Sequence, residues 1–262
     1  MEVIQESVIR EFIKRLPDLT VDPPSSHLLM LALRSKKIKE SLGHKAKDAQ
    51  GKTVHDLVVE RDIIRPEQYW RERYFNAVHN LGMLQHEGKY VFGDPINIRE
   101  VSGIYATLSP RSVTAALEEL MRDDIGLFVQ RNSEADIQLM KHVSRYFASL
   151  HKHKLRATNF VTLDIDNRNT EIFKAVSDIT SVIPVFMVTE TSGGWHRVLD
   201  VSKSEHAIVF YGDKKKKSGL IHKIGLEYAS KGVEIKRDSQ EVIPGTLYHR
   251  KNEPNFHVRL LE

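Results

Sequence analysis

The segment Phe160-Val-Thr-Leu-Asp-Ile-Asp166 constrains this chain more than any other. Phe160, Val161, Leu163 and Ile165 are strand formers in a short apolar run. Side chains alternate across a strand, so Asp164 and Asp166 leave the same face, about 7 Å apart at the α-carbons. Two carboxylates on one face repel unless a cation or basic group lies between them. Hard divalent ions bind through one or two carboxylates plus substrate phosphates. The plainer reading is a strand end whose acids meet solvent or a helix N-terminus.

Two further segments add to the pattern. Ile183-Pro-Val-Phe-Met-Val188 reads as a second buried strand, and Thr191-Ser-Gly-Gly as a tight turn whose glycines tolerate positive φ. Exposed N–H groups in such a turn form an anion-binding concavity. Trp195-His-Arg-Val-Leu199 resumes a strand, with His196 and Arg197 on opposite faces. An ordinary hairpin with a packed histidine is the alternative. Lys231-Gly232 reads as the stop of a helix over 218–230. Val233-Glu-Ile-Lys236 then begins a strand with Glu234 on one face. Asp238 in the following turn is the competing acid, before a short strand and turn at Glu241-Val-Ile-Pro-Gly-Thr-Leu247.

Elsewhere the chain reads as continuous, with no repeat, no low-complexity linker and no clean boundary. Helices are expected over 3–16, from Pro66 to Asn80, from Pro110 to Arg122 and from Glu134 to Leu150. Strands are expected over 27–34, 90–92 and 104–108. Residues 35–53 read as a charged, mobile loop, and Tyr69, Trp70, Tyr74 and Phe75 as core at helical spacing. The C-terminal part reads as strand, helix, strand, strand, helix, strand.

The 262 residues suffice for a sizeable core. A hydrophobic content of 40% with 28% charged residues excludes a disordered chain. No apolar run approaches a membrane span, so no membrane partner is expected. Met1-Glu-Val-Ile-Gln-Glu reads as the start of an amphipathic helix and not as a secretory signal, and a cytoplasmic site is the default. The net charge of +4 permits nucleic-acid binding without requiring it. The local runs Arg34-Ser-Lys-Lys-Ile-Lys39, His151-Lys-His-Lys-Leu-Arg156 and Lys214-Lys-Lys-Lys217 are solvated loops or contacts to an acidic polymer.

The order of these segments resembles the archaeo-eukaryotic primase superfamily, closest to small-subunit primases and plasmid or viral primase-polymerases. The residues that carry the likeness are Leu163, Asp164, Asp166, Thr191, Ser192, Gly193, Gly194, His196, Val233, Glu234, Pro244, Gly245 and Thr246. Ile104-Tyr-Ala-Thr-Leu-Ser-Pro-Arg111 is a fainter match. The resemblance implies one α/β (α+β) catalytic domain over 1–262 made of two packed sheet units. An N-terminal α/β unit spans about 1–154. An RRM-like antiparallel sheet with flanking helices spans about 155–262 and carries the active site. It implies two Mg²⁺ or Mn²⁺ ions on Asp164, Asp166 and Glu234, and a nucleoside triphosphate held by Ser192, Gly193, Gly194 and His196. Relatives often carry an arginine just before the Pro-Gly-Thr, where Val242 and Ile243 stand here; His249, Arg250 and Lys251 are the nearby bases that could compensate. Arg111, Lys152, Lys154 and Arg156 are the candidates for contact with a single-stranded DNA template. A helicase or large primase subunit is a candidate partner. The third acid is usually aspartate in these relatives and is Glu234 here. A cysteine-based zinc knuckle is impossible, because the chain has no cysteine.

The expected reaction is therefore template-directed nucleotidyl transfer. A metal-dependent nuclease or replication-initiator endonuclease is the first alternative. It needs a catalytic tyrosine on a helix beside a histidine cluster; Tyr228 is the one tyrosine read on a helix after the histidine turn, and no paired His-x-His is read on a strand. A catalytically silent nucleic-acid-binding subunit with the same fold is the second.

Overall fold

The structure is a computed structural model. It describes residues 3–45, 47, 53, 56–92, 94–130, 134, 138, 141–155, 158–166, 168–213, 218–237, 240–248, 253 and 256–262. Arg156, Asp238, His249, Arg250 and the run 214–217 lie outside the described residues.

The first part of the chain runs α1 (Glu6–Arg15), β1 (Ser25–Leu33), α2 (Ser35–Leu42), β2 (Leu57–Ile64), α3 (Trp70–Glu87), β3 (Lys89–Phe92), β4 (Asp94–Asn97), α4 (Ile98–Val101), β5 (Ser102–Thr107), β6 (Arg111–Ser112), α5 (Val113–Gln130) and α6 (His142–Lys152). It continues with β7 (Phe160–Ile165), α7 (Thr170–Ile179), β8 (Val185–Glu190), β9 (Trp195–Asp200), α8 (Ser204–Tyr211), α9 (Leu220–Tyr228), β10 (Val233–Arg237), β11 (Gln240–Val242) and β12 (Arg259–Leu260).

Two five-stranded antiparallel sheets organise these elements, giving a mixed α+β fold. The first has the order β11-β5-β1-β2, with β6 also on β1. Every residue of β1 is buried, as its nearly unbroken apolar run requires of a strand covered on both faces. Leu29, Leu31 and Leu33 pack with α1 and α3, while Leu28, Met30 and Ala32 pack with Ala116 of α5 and Leu150 of α6. Trp70, Tyr74 and Phe75 are core residues as expected, whereas Tyr69 is exposed.

The second sheet has the order β10-β7-β9-β8-β12. Its first four strands, with α7 between β7 and β8 and α8 and α9 between β9 and β10, form the βαββαβ unit of RRM-like and ferredoxin-like sheets. Alternation fixes its two faces. Val161, Leu163, Ile165, Leu199 and Val233 pack against Val176, Phe210 and Ile224 of the helices. Asn169 caps α7 by accepting from the N–H groups of Glu171 and Ile172. Phe160, Met187 and Val198 turn the other way and join the core of the first sheet. Sheet packs toward sheet on this face, and its polar end opens as a cleft.

The chain does not divide between the sheets at one point. After β10 closes the second sheet, β11 returns to the first and pairs with β5 in the register Glu241↔Ala106. The Pro244-Gly245-Thr246 turn that follows is buried under α1. Gln5 N–H donates to the Gly245 carbonyl at 2.8 Å, and Gly245 has φ +81°.

Residues 35–42 depart from the expected loop. Ser35–Leu42 is a helix, anchored by the single buried residue Ile38 and stopped by Gly43 at φ +75°. Strand β2 has no counterpart among the expected elements. Its residues are mostly half-buried or exposed, so charged side chains interrupt the apolar alternation.

Candidate functional site

The strand register aligns the polar residues. Glu234 on β10 pairs with Asp164 on β7, and Asp164 pairs with His196 on β9. Residues directly opposite on neighbouring strands share a face, so these three form a row across the sheet. Lys236, two residues beyond Glu234, points the same way. All four line a cleft of about 990 Å³, together with Asp166, Thr191, Ser192 and Gly193.

The centre of the row is closely paired. Asp164 is buried, at 5% exposure. Its Oδ2 accepts from the Lys236 ammonium, and its Oδ1 lies 3.3 Å from His196 Nε2. His196 Nδ1 donates to Glu241 Oε2 at 2.7 Å, and Thr162 Oγ1 donates to the other oxygen of Glu241. Burial works against charge on His196. Glu241 and Asp164 outweigh it and lift the imidazole to about 10. Both ring nitrogens face carboxylates, so both carry hydrogen and His196 is an imidazolium. Burial likewise opposes charge on Asp164, yet His196 and Lys236 hold its carboxyl at about 2. For Lys236, burial is outweighed by Asp164, Glu234 and Glu241, and its pKa is raised.

Glu234 and Asp166 are exposed acids at the two edges of this centre. Glu234 Oε2 lies 3.5 Å from Lys236 Nζ. Asp166 follows the end of β7, where its N–H donates to the Gly232 carbonyl at 2.9 Å. Gly232, at φ +85°, ends the helical stretch as the sequence predicts.

The Thr191–Gly194 turn uses its glycines differently from expectation. Neither Gly193 nor Gly194 has positive φ. Gly194 serves a close approach instead, since a Cβ there would lie 1.8 Å from the Ile165 carbonyl oxygen. Thr191 closes the turn through N–H to the Gly194 carbonyl at 2.8 Å. Arg168 clamps it from outside, donating to the carbonyls of Thr191 and Ser192 at 3.0 and 3.1 Å. Arg197 points away from the cleft and donates to Thr180 Oγ1 at 3.1 Å.

The opposite wall comes from the first sheet and α2. Arg34, Lys36 and Lys37 line it with Tyr105 and Tyr248. The Lys37 ammonium sits 3.6 Å from the centre of the Tyr248 ring, and burial brings Lys37 down to about 8 against the pull of Glu40. Arg34, Lys36 and Lys37 of the basic run at 34–39 thus belong to a cleft wall. The wall of the second sheet carries Asp164, Asp166 and Glu234 with Lys236 and His196, and the opposite wall carries Arg34 and Lys37 over aromatic rings, with Lys36, Glu40 and Glu100 beside them.

Asp164, Asp166, Glu234, Ser192, Gly193 and His196 come together here, while Gly194 shapes the turn. The remaining described candidates are elsewhere. Arg111 is fully buried and donates to the His151 carbonyl at 2.8 Å, so its guanidinium is an internal strut with no surface to offer a template. Lys152 pairs with Glu119 at 3.1 Å and Lys154 donates to Asn159 at 3.2 Å; neither lines the cleft. Tyr228 packs on the helix side of the second sheet, away from the carboxylates.

Glu241 and Arg168 are the residues that sequence reasoning missed. Glu241 had a signal: it is an acid beside Val242 and Ile243 in a short apolar strand, and it needs a buried partner. Arg168 lies in a polar loop and gives no such sign.

The donor set suits a hard divalent ion in its chemistry. Asp164, Asp166 and Glu234 line one wall of the cleft, and a cation already lies between two of them. Among the described residues, no three His, Asp or Glu side chains are drawn into a preassembled metal cage. No family model matches the chain, and neither the curated proteins nor the solved structures give a match. Among the described residues, no helix is long and apolar enough to cross a membrane.

Proposed function

We propose that this protein is a metal-dependent nucleotidyltransferase that makes or extends primers on a single-stranded DNA template. The observation that carries this reading is the Glu234–Asp164–His196 row on a βαββαβ sheet, facing a cleft with a basic wall. A nucleoside triphosphate has the matching chemistry. Its phosphates suit the lysines and arginine, and the divalent ion that accompanies a triphosphate would suit the acids.

Asp164, Asp166 and Glu234 would hold Mg²⁺ or Mn²⁺. When bound, the ions supply acidity to an attacking 3′-hydroxyl and neutralise the leaving pyrophosphate. The protein's own residues act by charge and position. His196, protonated across the neutral range, would offer its Nε2–H to a phosphate oxygen in the cleft. Glu241 holds the ring in place through Nδ1. Ser192 and Gly193 border the same phosphate region beside Asp166. Arg34, Lys36 and Lys37 attract the polyanion from the opposite wall. No side-chain nucleophile is needed, and the rate gain comes from positioning and electrostatics.

A silent nucleic-acid-binding subunit is the second reading. The ion pair between Lys236 and Asp164 favours it, because an acid already neutralised is a poorer metal ligand. Incubation with labelled nucleotides, a primed and an unprimed single-stranded template and Mn²⁺ separates the readings. Template-dependent extension supports the transferase. Template retention without extension supports the silent subunit, and cleavage of the template supports a nuclease.

A further inference from the structure

We propose that Lys236 is the built-in counterion of the Asp164–Glu234 pair, and that its displacement couples divalent-metal binding to nucleotide binding. This inference rests on the transferase reading of the cleft. Asp164 and Glu234 are direct cross-strand partners, a placement in which like charges destabilise a sheet. The chain resolves the repulsion itself. Lys236 lies on the same face two residues after Glu234, its ammonium donates to Asp164 Oδ2, and the same nitrogen is 3.5 Å from Glu234 Oε2. A tethered monovalent cation thus lies between the two acids that would take a divalent one.

Two consequences follow from charge alone. A metal ion arriving without a nucleotide must displace the ammonium, which then loses its partners in a half-buried position. Metal binding without nucleotide is therefore weak. A metal ion arriving with a triphosphate offers the displaced ammonium new acceptors, because Lys236 lines the same cleft at 36% exposure. His196 gains the same freedom, since Asp164 is the shared anion of both cations. Each ligand then strengthens the other by the same factor.

The test is calorimetric titration of Mn²⁺ into the wild-type protein and into Lys236→Met, without nucleotide. Binding of a fluorescent nucleoside triphosphate is then measured at saturating Mn²⁺. Methionine keeps the length of the side chain and removes its charge. Expected is Mn²⁺ binding at least about tenfold tighter in Lys236→Met, equivalent to ~1.4 kcal/mol, with nucleotide binding about tenfold weaker. Lys236→Gln should behave alike, and melting curves confirm that each variant is folded. Equal or weaker Mn²⁺ binding in folded variants overturns the coupling and leaves the transferase reading standing. Unchanged nucleotide affinity also overturns it. If neither wild type nor variant binds Mn²⁺ with or without nucleotide, the transferase reading falls and the coupling with it.

Discussion

His196 and Glu241 join the two sheets through one charged hydrogen bond, Nδ1 to Oε2 at 2.7 Å. His196 belongs to β9 of the second sheet and Glu241 to β11 of the first. Glu241 is 1% exposed, so this contact is shielded from water and salt. Together with Asp164 it sets the charge of the imidazole.

Removing that carboxylate should therefore cost stability and function together. Glu241→Ala leaves a buried imidazolium with half of its partners, a loss of about 3–5 kcal/mol in urea unfolding. Glu241→Gln keeps an oxygen for a hydrogen bond and should lose less. It should also weaken triphosphate binding, because the imidazolium loses its stronger counterion. An alanine variant as stable as wild type would show that the sheets do not depend on this contact.

The same pair dictates a pH dependence. The pKa of His196 is raised from its ordinary 6.5 to about 10, so its contribution to stability is full below 6.5. That contribution declines as pH rises toward 10. Asp164 is depressed from 3.8 to about 2, so its contribution is full above 3.8 and declines as pH falls toward 2. The difference in melting temperature between wild type and His196→Ala should be largest near pH 5 to 6 and shrink steadily toward pH 10. A difference that grows with pH would mean that the imidazole is neutral in the fold.

Asp164 and Asp166 differ in a way their sequence pattern hides. On the pattern alone, each is one of two crowded acids, and removing either should relieve repulsion. In the fold, only Asp164 is buried and paired with two cations, while Asp166 is exposed. Asp164→Ala should lose about 3 kcal/mol, toward the lower end for a broken buried pair because Lys236 keeps partial access to water. Asp166→Ala should stay within about 0.5 kcal/mol of wild type. Both should lose nucleotide incorporation. Denaturation curves beside an extension assay separate the two effects, and wild-type extension by either variant would count against the proposed metal site.

Glu234 invites the same dissection. Its side chain is 66% exposed and its ion pair is with Lys236, so the unfolding free energy of Glu234→Ala should stay within about 0.5 kcal/mol of wild type. Its extension activity should be lost, and Glu234→Asp should keep part of it, because aspartate is one methylene shorter on the same strand. Asp238→Ala should extend primers as wild type does. Full activity in Glu234→Ala with loss in Asp238→Ala would move the third acid into the turn.

The sequence was readable where alternation was strict. β10 and most of β7 place apolar residues on the helix side and polar ones on the cleft side, so Asp164 and Glu234 stand out as strand-borne acids, whereas β9 turns Arg197 toward the helices and Val198 toward the first sheet. What connects the two sheets was not readable. Glu241 approaches His196 from 45 residues away, and only the return of β11 to the first sheet brings them together. Helix α2 was hidden because one apolar residue, Ile38, anchors eight. Arg111 was a template candidate through the resemblance alone, and nothing in its local sequence shows that it is buried with its guanidinium on the His151 carbonyl of α6.

The two glycines of the turn make a last and sharper test. Their sequence context is the same, yet their surroundings differ. A Cβ on Gly194 would lie 1.8 Å from the Ile165 carbonyl oxygen, and backbone must move to admit it. A Cβ on Gly193 would meet only Asp166 Oδ1 at 3.5 Å, an ordinary contact. Gly194→Ala should thus cost about 1–3 kcal/mol and push the turn off the end of β7, moving Asp166 and Ser192 apart. Gly193→Ala should fold as wild type. It should still bind triphosphate less tightly if the phosphates lie against this turn, since the added methyl group projects beside Asp166 where the cleft is lined. Melting temperatures and nucleotide titrations on the pair give the answer. Equal stability of the two variants would mean that the turn does not lie against β7 as described. Wild-type affinity in Gly193→Ala would place the triphosphate elsewhere in the cleft, toward Lys37 and Arg34.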